Sequence, residues 1–282
     1  MTSLLLCTDL DRTLLPNGAQ PESPMARRRF QALADHPEVI LVYVTGRDRH
    51  RVERAIVNYR LPKPQFVISD VGTNIYDLRQ GNWQVWQRWV EEIAPDWDGF
   101  DHGRLSRLLS SFTELRLQEV SKQNTFKLSY YVPMHVDRLS LDQRLSDCLQ
   151  ENQINASLIW SVDEPAGIGL LDVLPKRATK LHALEFLQSF LGIPLNQTLF
   201  AGDSGNDLPV LASPIPAVLV ANAMSSVANE AVAAAQVAGH LDALYLAKGG
   251  LLDMNGNYSA GILEGVVHFH PELLALFDIP ES

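Results

Sequence analysis

The sequence predicts an α/β protein, a doubly wound parallel-sheet core over residues 1–80 and 173–282 interrupted by an inserted α+β domain over 81–172. Three observations predict it. Short, largely apolar runs at 4–7, 39–44, 66–69, 197–201 and 217–221 have the look of strands buried on both faces. Helical patterns separate them, giving the strand, helix, strand rhythm of a parallel sheet. From about Gly81 that rhythm stops, four tryptophans (Trp83, Trp86, Trp89, Trp97) crowd together, and the doubly wound pattern resumes only near Thr179.

In order, the opening strand runs into turn formers at Pro16–Gly18, and a helix over 24–34 follows with Ser23 as its N-cap. The strand at 39–44 ends on Thr45-Gly46-Arg47, and a polar helix over 48–59 is broken by Leu61-Pro62-Lys63-Pro64. The third strand, 66–69, leads into a loop over 70–74. Inside the insertion, a helix near 105–112, an alternating strand at 126–132, a helix at 139–151 and strands near 156–161 and 169–174 suggest helices beside an antiparallel sheet. Afterwards come a helix at 179–191, the strand 197–201, the loop Gly202-Asp203-Ser204-Gly205-Asn206-Asp207, the strand 217–221 and a helix at 226–237. Two linkers, near 77–81 and 171–175, are expected to let the insertion close over the core.

Bulk properties narrow the function. The chain has 282 residues and a formal net charge of −10 with no basic block, which excludes a nucleic-acid partner; Arg27-Arg28-Arg29 is one solvated helix face. Cys7 and Cys148 are too few and too far apart for a disulfide framework, which points to a reducing compartment. The N-terminus lacks a signal-peptide pattern and no apolar run approaches a membrane span, so a cytoplasmic monomer acting on soluble partners is expected.

The chemistry begins at the end of the first strand. Side chains alternate along an extended chain, so Asp9 and Asp11 leave it on the same side, at the sheet edge where ligands of open parallel sheets bind. Two carboxylates so close repel unless a cation lies between them, and a hard divalent ion such as Mg²⁺ suits oxygen ligands. Alone, the pair is equally a solvated strand end. Three further pieces stand at strand ends or helix starts: Thr45-Gly46-Arg47, Lys180 and the Gly202–Asp207 loop. Alone they read as a helix cap, a solvated lysine and a turn. In this order the four supply what phosphoryl transfer through a covalent intermediate requires.

The four pieces resemble motifs I to IV of the haloacid dehalogenase-like superfamily of phosphohydrolases, and an insertion between the second and third motifs is similar to members with a C2B-type cap. The phrases Val71-Gly72-Thr73-Asn74-Ile75-Tyr76, Phe126-Lys127-Leu128-Ser129-Tyr130-Tyr131, Leu171-Asp172-Val173-Leu174-Pro175 and Gly202-Asp203-Ser204-Gly205-Asn206-Asp207 resemble the sucrose-phosphate phosphatases. The resemblance implies Asp9 as nucleophile and Asp11 as general acid and then base, kept protonated by the neighbouring acids. It implies Thr45 and Gly46 as phosphate holders, Lys180 as charge neutraliser, and Arg47 and Asn206 as further phosphate or substrate contacts. Mg²⁺ would be held by Asp9, Asp203, the backbone carbonyl of Asp11, and Asp207, which completes or orients the site. One departure is Leu181, where the family often has glycine after the motif III lysine; Lys176 or Arg177 is then the alternative cation.

Lys127 on the inserted domain would read the substrate or else is a rim lysine, Gly72, Thr73 and Asn74 stand where a core loop would touch the substrate, and the tryptophans fit either sugar stacking or a small core. His268 and His270 lack the further ligands of a metal site. The activity implied is a Mg²⁺-dependent phosphatase for a phosphorylated disaccharide, sucrose 6-phosphate first. Mannosylfructose phosphate, glucosylglycerol phosphate and mannosyl-3-phosphoglycerate are alternative substrates. A silent binding partner of a sucrose-phosphate synthase-type glycosyltransferase is a different class, and a phosphomutase shares the core chemistry.

Overall fold

The computed structural model describes residues 4–163 and 166–277. One unit takes the chain through Val85 and again from Lys180 onward; the other is Trp86–Thr179. The first opens with β1 (Leu4–Thr8), α1 (Ala26–Ala34), β2 (Val39–Val44), α2 (Arg49–Tyr59), β3 (Phe66–Ser69), β4 (Asn74–Asp77) and β5 (Gln84–Val85). The second holds α3 (Gln87–Ile93), α4 (His102–Leu108), β6 (Arg116–Leu117), β7 (Leu128–Val132), α5 (Arg138–Glu151), β8 (Ala156–Asp163) and β9 (Ile168–Pro175). The chain returns through α6 (Lys180–Leu191), β10 (Thr198–Gly202), α7 (Leu208–Leu211), β11 (Ala217–Leu219), α8 (Ser225–Ala238), β12 (Leu244–Leu246) and α9 (Ser259–Phe269).

The first unit is built on an eight-stranded sheet in the order β12-β11-β10-β1-β2-β3-β4-β5. The six strands from β12 to β3 are parallel, and β4 and β5 add an antiparallel edge. Leu4 and Leu6 of β1 enter a core with Phe30 and Leu33 of α1 and Ile262, Leu263 and Val266 of α9. Leu5 and Cys7 are also fully buried. Both faces of β1 are covered, which is why its sequence is continuously apolar instead of alternating.

Several elements differ from the sequence reading, three of them with a clear physical reason. Residues 74–77 are a strand, because β4 turns back on β3 with Asn74 opposite Ser69. Helix α1 starts at Ala26 behind Met25 in a left-handed conformation, and Ser23 does not cap it; its hydroxyl accepts from the Asn255 N–H at 2.8 Å. Helix α9 is absent from the sequence reading because eight consecutive residues, Ser259 to Val266, are buried, so no polar face marks its period.

Gly261 and Gly265 let α9 lie against β11. They are one turn apart on one helix face. A Cβ on Gly265 would stand 2.5 Å from Val218 Cβ, and one on Gly261 would strike the Gly256 carbonyl. Gly265→Ala is expected to lower stability by about 1–3 kcal/mol, as overpacking does, and Gly261→Ala by more, since backbone must move; urea denaturation measures both.

The second unit is a four-stranded antiparallel sheet, β6-β7-β9-β8, with helices. Trp89 and Trp97 are fully buried, the latter edge-on to Phe126 at 5.5 Å, so they build this unit's core. Trp83 belongs to the first unit, edge-on to Tyr76. The expected linkers are also corrected. Residues 78–83 join β4 to β5 within the first unit, and 171–175 lie inside β9, paired to β7 and β8. The chain crosses between units at Val85–Trp86 and Thr179–Lys180 instead. Just before the second crossing, Asp96 takes the Arg177 N–H at 2.7 Å and its Nε at 3.0 Å, while Glu92 takes Nη1 at 2.9 Å.

Candidate active site

The parallel strands deliver the acids. Asp9 leaves the end of β1, its N–H bonded to Ala201 O of β10 at 2.9 Å, and Asp203 leaves the end of β10 itself. Both are buried, at 5% and 3% exposure. Lys180, the first residue of α6, donates to Asp9 Oδ1 at 3.0 Å, Asp207 Oδ1 at 2.8 Å and Asn206 Oδ1 at 3.0 Å. These three acceptors use all three ammonium protons. Neither Lys176 nor Arg177 takes this place, since Arg177 is engaged by Asp96 and Glu92 in the second unit.

Asp207 is fully buried, and its other oxygen accepts from the N–H groups of Asp203 and Ser204 and from the Ser204 hydroxyl, each at 3.1 Å. Ser204 and Asp207 thus form a capping box. Gly202 is required beneath it, because a Cβ there would sit 2.7 Å from Asp207 Cγ. Gly205 is not so constrained: a Cβ meets nothing within 4 Å. Thr13 donates to Asp203 Oδ1 at 3.0 Å, and Arg12 Nε lies 3.5 Å from Oδ2.

Charge in this pocket follows from burial. Burial pushes Asp9 up to about 7, Lys180 pulling it down and Asp207 and Asp203 adding to the rise. Asp203 is pushed up to about 6 by burial and by Asp207. For Lys180, burial acts to lower the ammonium, but Asp207 and Asp9 together outweigh it and hold it above its ordinary value.

Asp9, Asp203 and Asp207 each offer an oxygen within 4.8 Å of the others, and they are the group of metal-ligating side chains among the described residues. A buried all-carboxylate set fits a hard divalent ion. The raised carboxyls keep protons in the folded chain at pH values where unfolded carboxylates, near 4, have lost theirs. Stability of the metal-free protein is therefore expected to fall as pH rises from about 4 to about 7, and the slope to flatten with a divalent cation present; urea titrations across that range read it.

Asp11 departs from expectation. Its carboxylate is outside the acidic cluster and is gripped by Arg47, Nε to Oδ2 at 2.7 Å and Nη2 to Oδ1 at 2.5 Å, with Asn17 Nδ2 on Oδ1 at 2.7 Å. Burial acts to raise its pKa, but the hydrogen bonds and charge of Arg47, with Asn17, overcome it and hold Asp11 below the ordinary carboxylate range. The neighbouring acids do not keep it protonated. Arg47, expected on phosphate, is the partner of Asp11 in this structure.

Thr45 is buried at the end of β2, where its Oγ1 accepts from the Arg47 N–H at 3.2 Å, and Gly46 is exposed. The turn over 70–74 is tied to this loop: Val71 N–H donates to Thr45 O at 3.1 Å and Asp70 N–H to Arg47 O at 3.0 Å. Asp70 and Val71 are left-handed, with φ of 50° and 61°, at a cost of about 1–3 kcal/mol each. Gly72 follows with φ of 107°. Thr73 is buried with its hydroxyl on Asp70 O, and Asn74 Nδ2 donates to Asp70 Oδ2 at 3.2 Å. Asn206 turns its oxygen to Lys180 and the Ser204 hydroxyl.

Lys127 is in the second unit, 8% exposed, with Nζ 3.4 Å from Asp172 Oδ2, while Ser129 Oγ donates to Asp172 Oδ1 at 2.5 Å. His268 stacks on Tyr245 at 4.1 Å and His270 faces Glu272 at 3.3 Å, so neither joins the acids. Thr13, spaced two residues from Asp11 as Asp11 is from Asp9, was legible as part of the first piece, but sequence reasoning gave no role to Arg12, Asn17, Asp70 or Asn222, which hold the site loops.

Comparison with known proteins fits this geometry. The family model described as sucrose-6F-phosphate phosphohydrolase matches residues 2–270. A protein of Nitrosococcus oceani, described in general terms as a HAD-like hydrolase, is 53% identical over 272 residues, covering 96% of this chain and 73% of its own. Sucrose-phosphatase 1 of Nicotiana tabacum is 29% identical, covering 95% of this chain, which spans 59% of the tobacco protein's length. The sucrose-phosphatase of Synechocystis, solved in complex with sucrose and phosphate, superposes with a TM-score of 0.70 at 26% identity, covering 95% of this chain and 98% of that one. Among the described residues no helix is long and apolar enough to cross a membrane.

Proposed function

The chain belongs to the sucrose-6F-phosphate phosphohydrolase family of haloacid dehalogenase-like phosphoric monoester hydrolases, and from that premise we propose that it is a Mg²⁺-dependent phosphatase releasing phosphate from a phosphorylated disaccharide, sucrose 6-phosphate first. The observation that carries this reading is the buried ammonium of Lys180 bonded to both Asp9 and Asp207. A buried lysine among repelling acids is poor stabilising chemistry and good phosphate chemistry.

Asp9 Oδ attacks phosphorus, the bond to the sugar oxygen breaks, and the phosphoryl group rests on Asp9. Lys180 neutralises charge as the anion arrives, while Thr45 and the Gly46 N–H hold phosphoryl oxygens. Asp9, Asp203 and the Asp11 carbonyl would hold Mg²⁺, with Asp207 orienting the set, and the ion would supply further positive charge to those oxygens. Asp11 gives its proton to the departing sugar oxygen and later takes one from the water that releases phosphate. For Asp11 to carry that proton the Arg47 pair must open, and a phosphate dianion is the group that competes for the guanidinium. Gly72, Thr73 and Asn74, in the turn whose Asp70 and Val71 bond to the Thr45 loop, border the substrate.

Phosphate release from a panel of sucrose 6-phosphate, mannosylfructose phosphate, glucosylglycerol phosphate and mannosyl-3-phosphoglycerate, with Mg²⁺ and after chelation, tests the proposal. Turnover of at least one disaccharide phosphate, lost on chelation, is expected; no release from any member overturns it. Binding without turnover would point to a silent partner of a glycosyltransferase, and an isomerised product to a mutase. We assign the sugar end of the substrate to Lys127, whose side chain is buried beside Asp172. Lys127→Met is expected to lower kcat/KM on the preferred sugar phosphate by about tenfold or more, mainly through KM, the size of a lost charged hydrogen bond.

A further inference from the structure

Arg12, directly after Asp11, adopts φ of 59°, a left-handed conformation that an L side chain disfavours. Its backbone is gripped from both sides. The N–H donates to Asn17 Oδ1 at 2.8 Å, and the carbonyl accepts from Asn222 Nδ2 at 2.6 Å. Asn222 comes from the loop after β11 and is only 3% exposed. Its Oδ1 accepts from the N–H of Tyr258, at the N-terminus of α9, at 2.8 Å. One buried amide, 210 residues from Arg12 and 36 from Tyr258, thus fastens the residue after Asp11 to the start of a helix.

The geometry points to Asn222 as a positioning residue for the reaction, acting with Asn17 to hold Arg12 in the turn that aims Asp11. Asn17 fixes the carboxylate through Nδ2 on Asp11 Oδ1 and fixes the peptide plane through the Arg12 N–H. In a trans peptide the Asp11 carbonyl then points the opposite way. Asn222 closes the other side of the same residue. Neither asparagine contacts the carboxylates of Asp9, Asp203 or Asp207 through a side-chain hydrogen bond in this structure; Asn222 acts on the chemistry through backbone alone. Release of the Arg12 carbonyl lets the turn relax toward the right-handed region and displaces both the acid and the carbonyl beside it.

This inference rests on the phosphatase reading, so the test has one arm that needs no activity. Asn222→Asp keeps the size of the side chain and the acceptor for Tyr258 but sets an oxygen against the Arg12 carbonyl. Its crystal structure is expected to show Arg12 out of the left-handed region; an unchanged turn overturns the clamp even if the protein hydrolyses nothing. On a turned-over sugar phosphate, kcat is expected to fall about 10- to 100-fold with KM within about twofold, as small misplacements of reacting groups do. Exposed Asn17 offers a second variant that leaves the core intact, and Asn17→Ala is expected to lose kcat in the same sense.

Glycine takes the left-handed turn without help. In an Arg12→Gly background, Asn222→Asp is therefore expected to cost clearly less kcat than in wild type. Equal costs in the two backgrounds, or an Asn222→Asp kcat within twofold of wild type, would show a merely structural asparagine. Inactivity of wild type on every phosphate ester would instead sink the phosphatase reading, leaving the crystal arm to decide the clamp.

Discussion

Asp9→Asn is expected to fold as wild type does and to release phosphate on the order of 10⁴ to 10⁶ times more slowly, the scale of losing a covalent nucleophile. The two halves of this expectation come from the same burial. Asp9 sits among Asp203, Asp207 and Lys180, where its charge is disfavoured enough to lift its pKa to about 7. An amide of the same shape removes that repulsion and still accepts from Lys180, so the metal-free variant should melt no lower than wild type. Phosphate release and thermal midpoint, measured on one preparation, check both. Wild-type rates in the variant would remove Asp9 from the chemistry.

Lys180→Met is expected to fail in both respects. The lysine is 3% exposed and donates to both Asp9 Oδ1 and Asp207 Oδ1. Its removal leaves two buried carboxylates without their counter-charge, which costs about 3–5 kcal/mol of stability by analogy with broken buried pairs. Rate should fall about 10²- to 10³-fold, as for loss of one preorganised donor. Mg²⁺ should restore part of the stability without restoring the rate. A variant as stable as wild type in chelator would show that the ammonium does not hold the acids.

What could be read from the chain was whatever local chemistry marks. Continuous apolar runs exposed β1, β2 and β3 because sheets covered on both faces need them, and strand ends pointed to Asp9, Thr45 and Asp203. Lys180 lies 171 residues from Asp9, yet it was legible because a motif order, not proximity, identified it. The failures have a common cause as well. Asp11 was expected to be protonated because its sequence neighbours are acids, whereas its spatial neighbour is Arg47, 36 residues on. Asn222 and Asn17 are unremarkable in sequence because they act on backbone atoms. Helix α9 and strand β4 were passed over because one has no polar face and the other, Asn74-Ile75-Tyr76-Asp77, has polar residues at both ends and no apolar run.

The Asp96 anchor on Arg177 has a consequence for anyone exchanging the inserted unit. Between that anchor and Lys180 only Ala178 and Thr179 intervene. The Thr179 N–H donates to Arg177 O at 2.9 Å, so this tract is a tight turn that leads directly into α6. Chimeras that splice a foreign insert should therefore keep the native tract from Arg177 onward, together with an acidic counterpart for it, so that the helix still starts on the amine that meets the carboxylates.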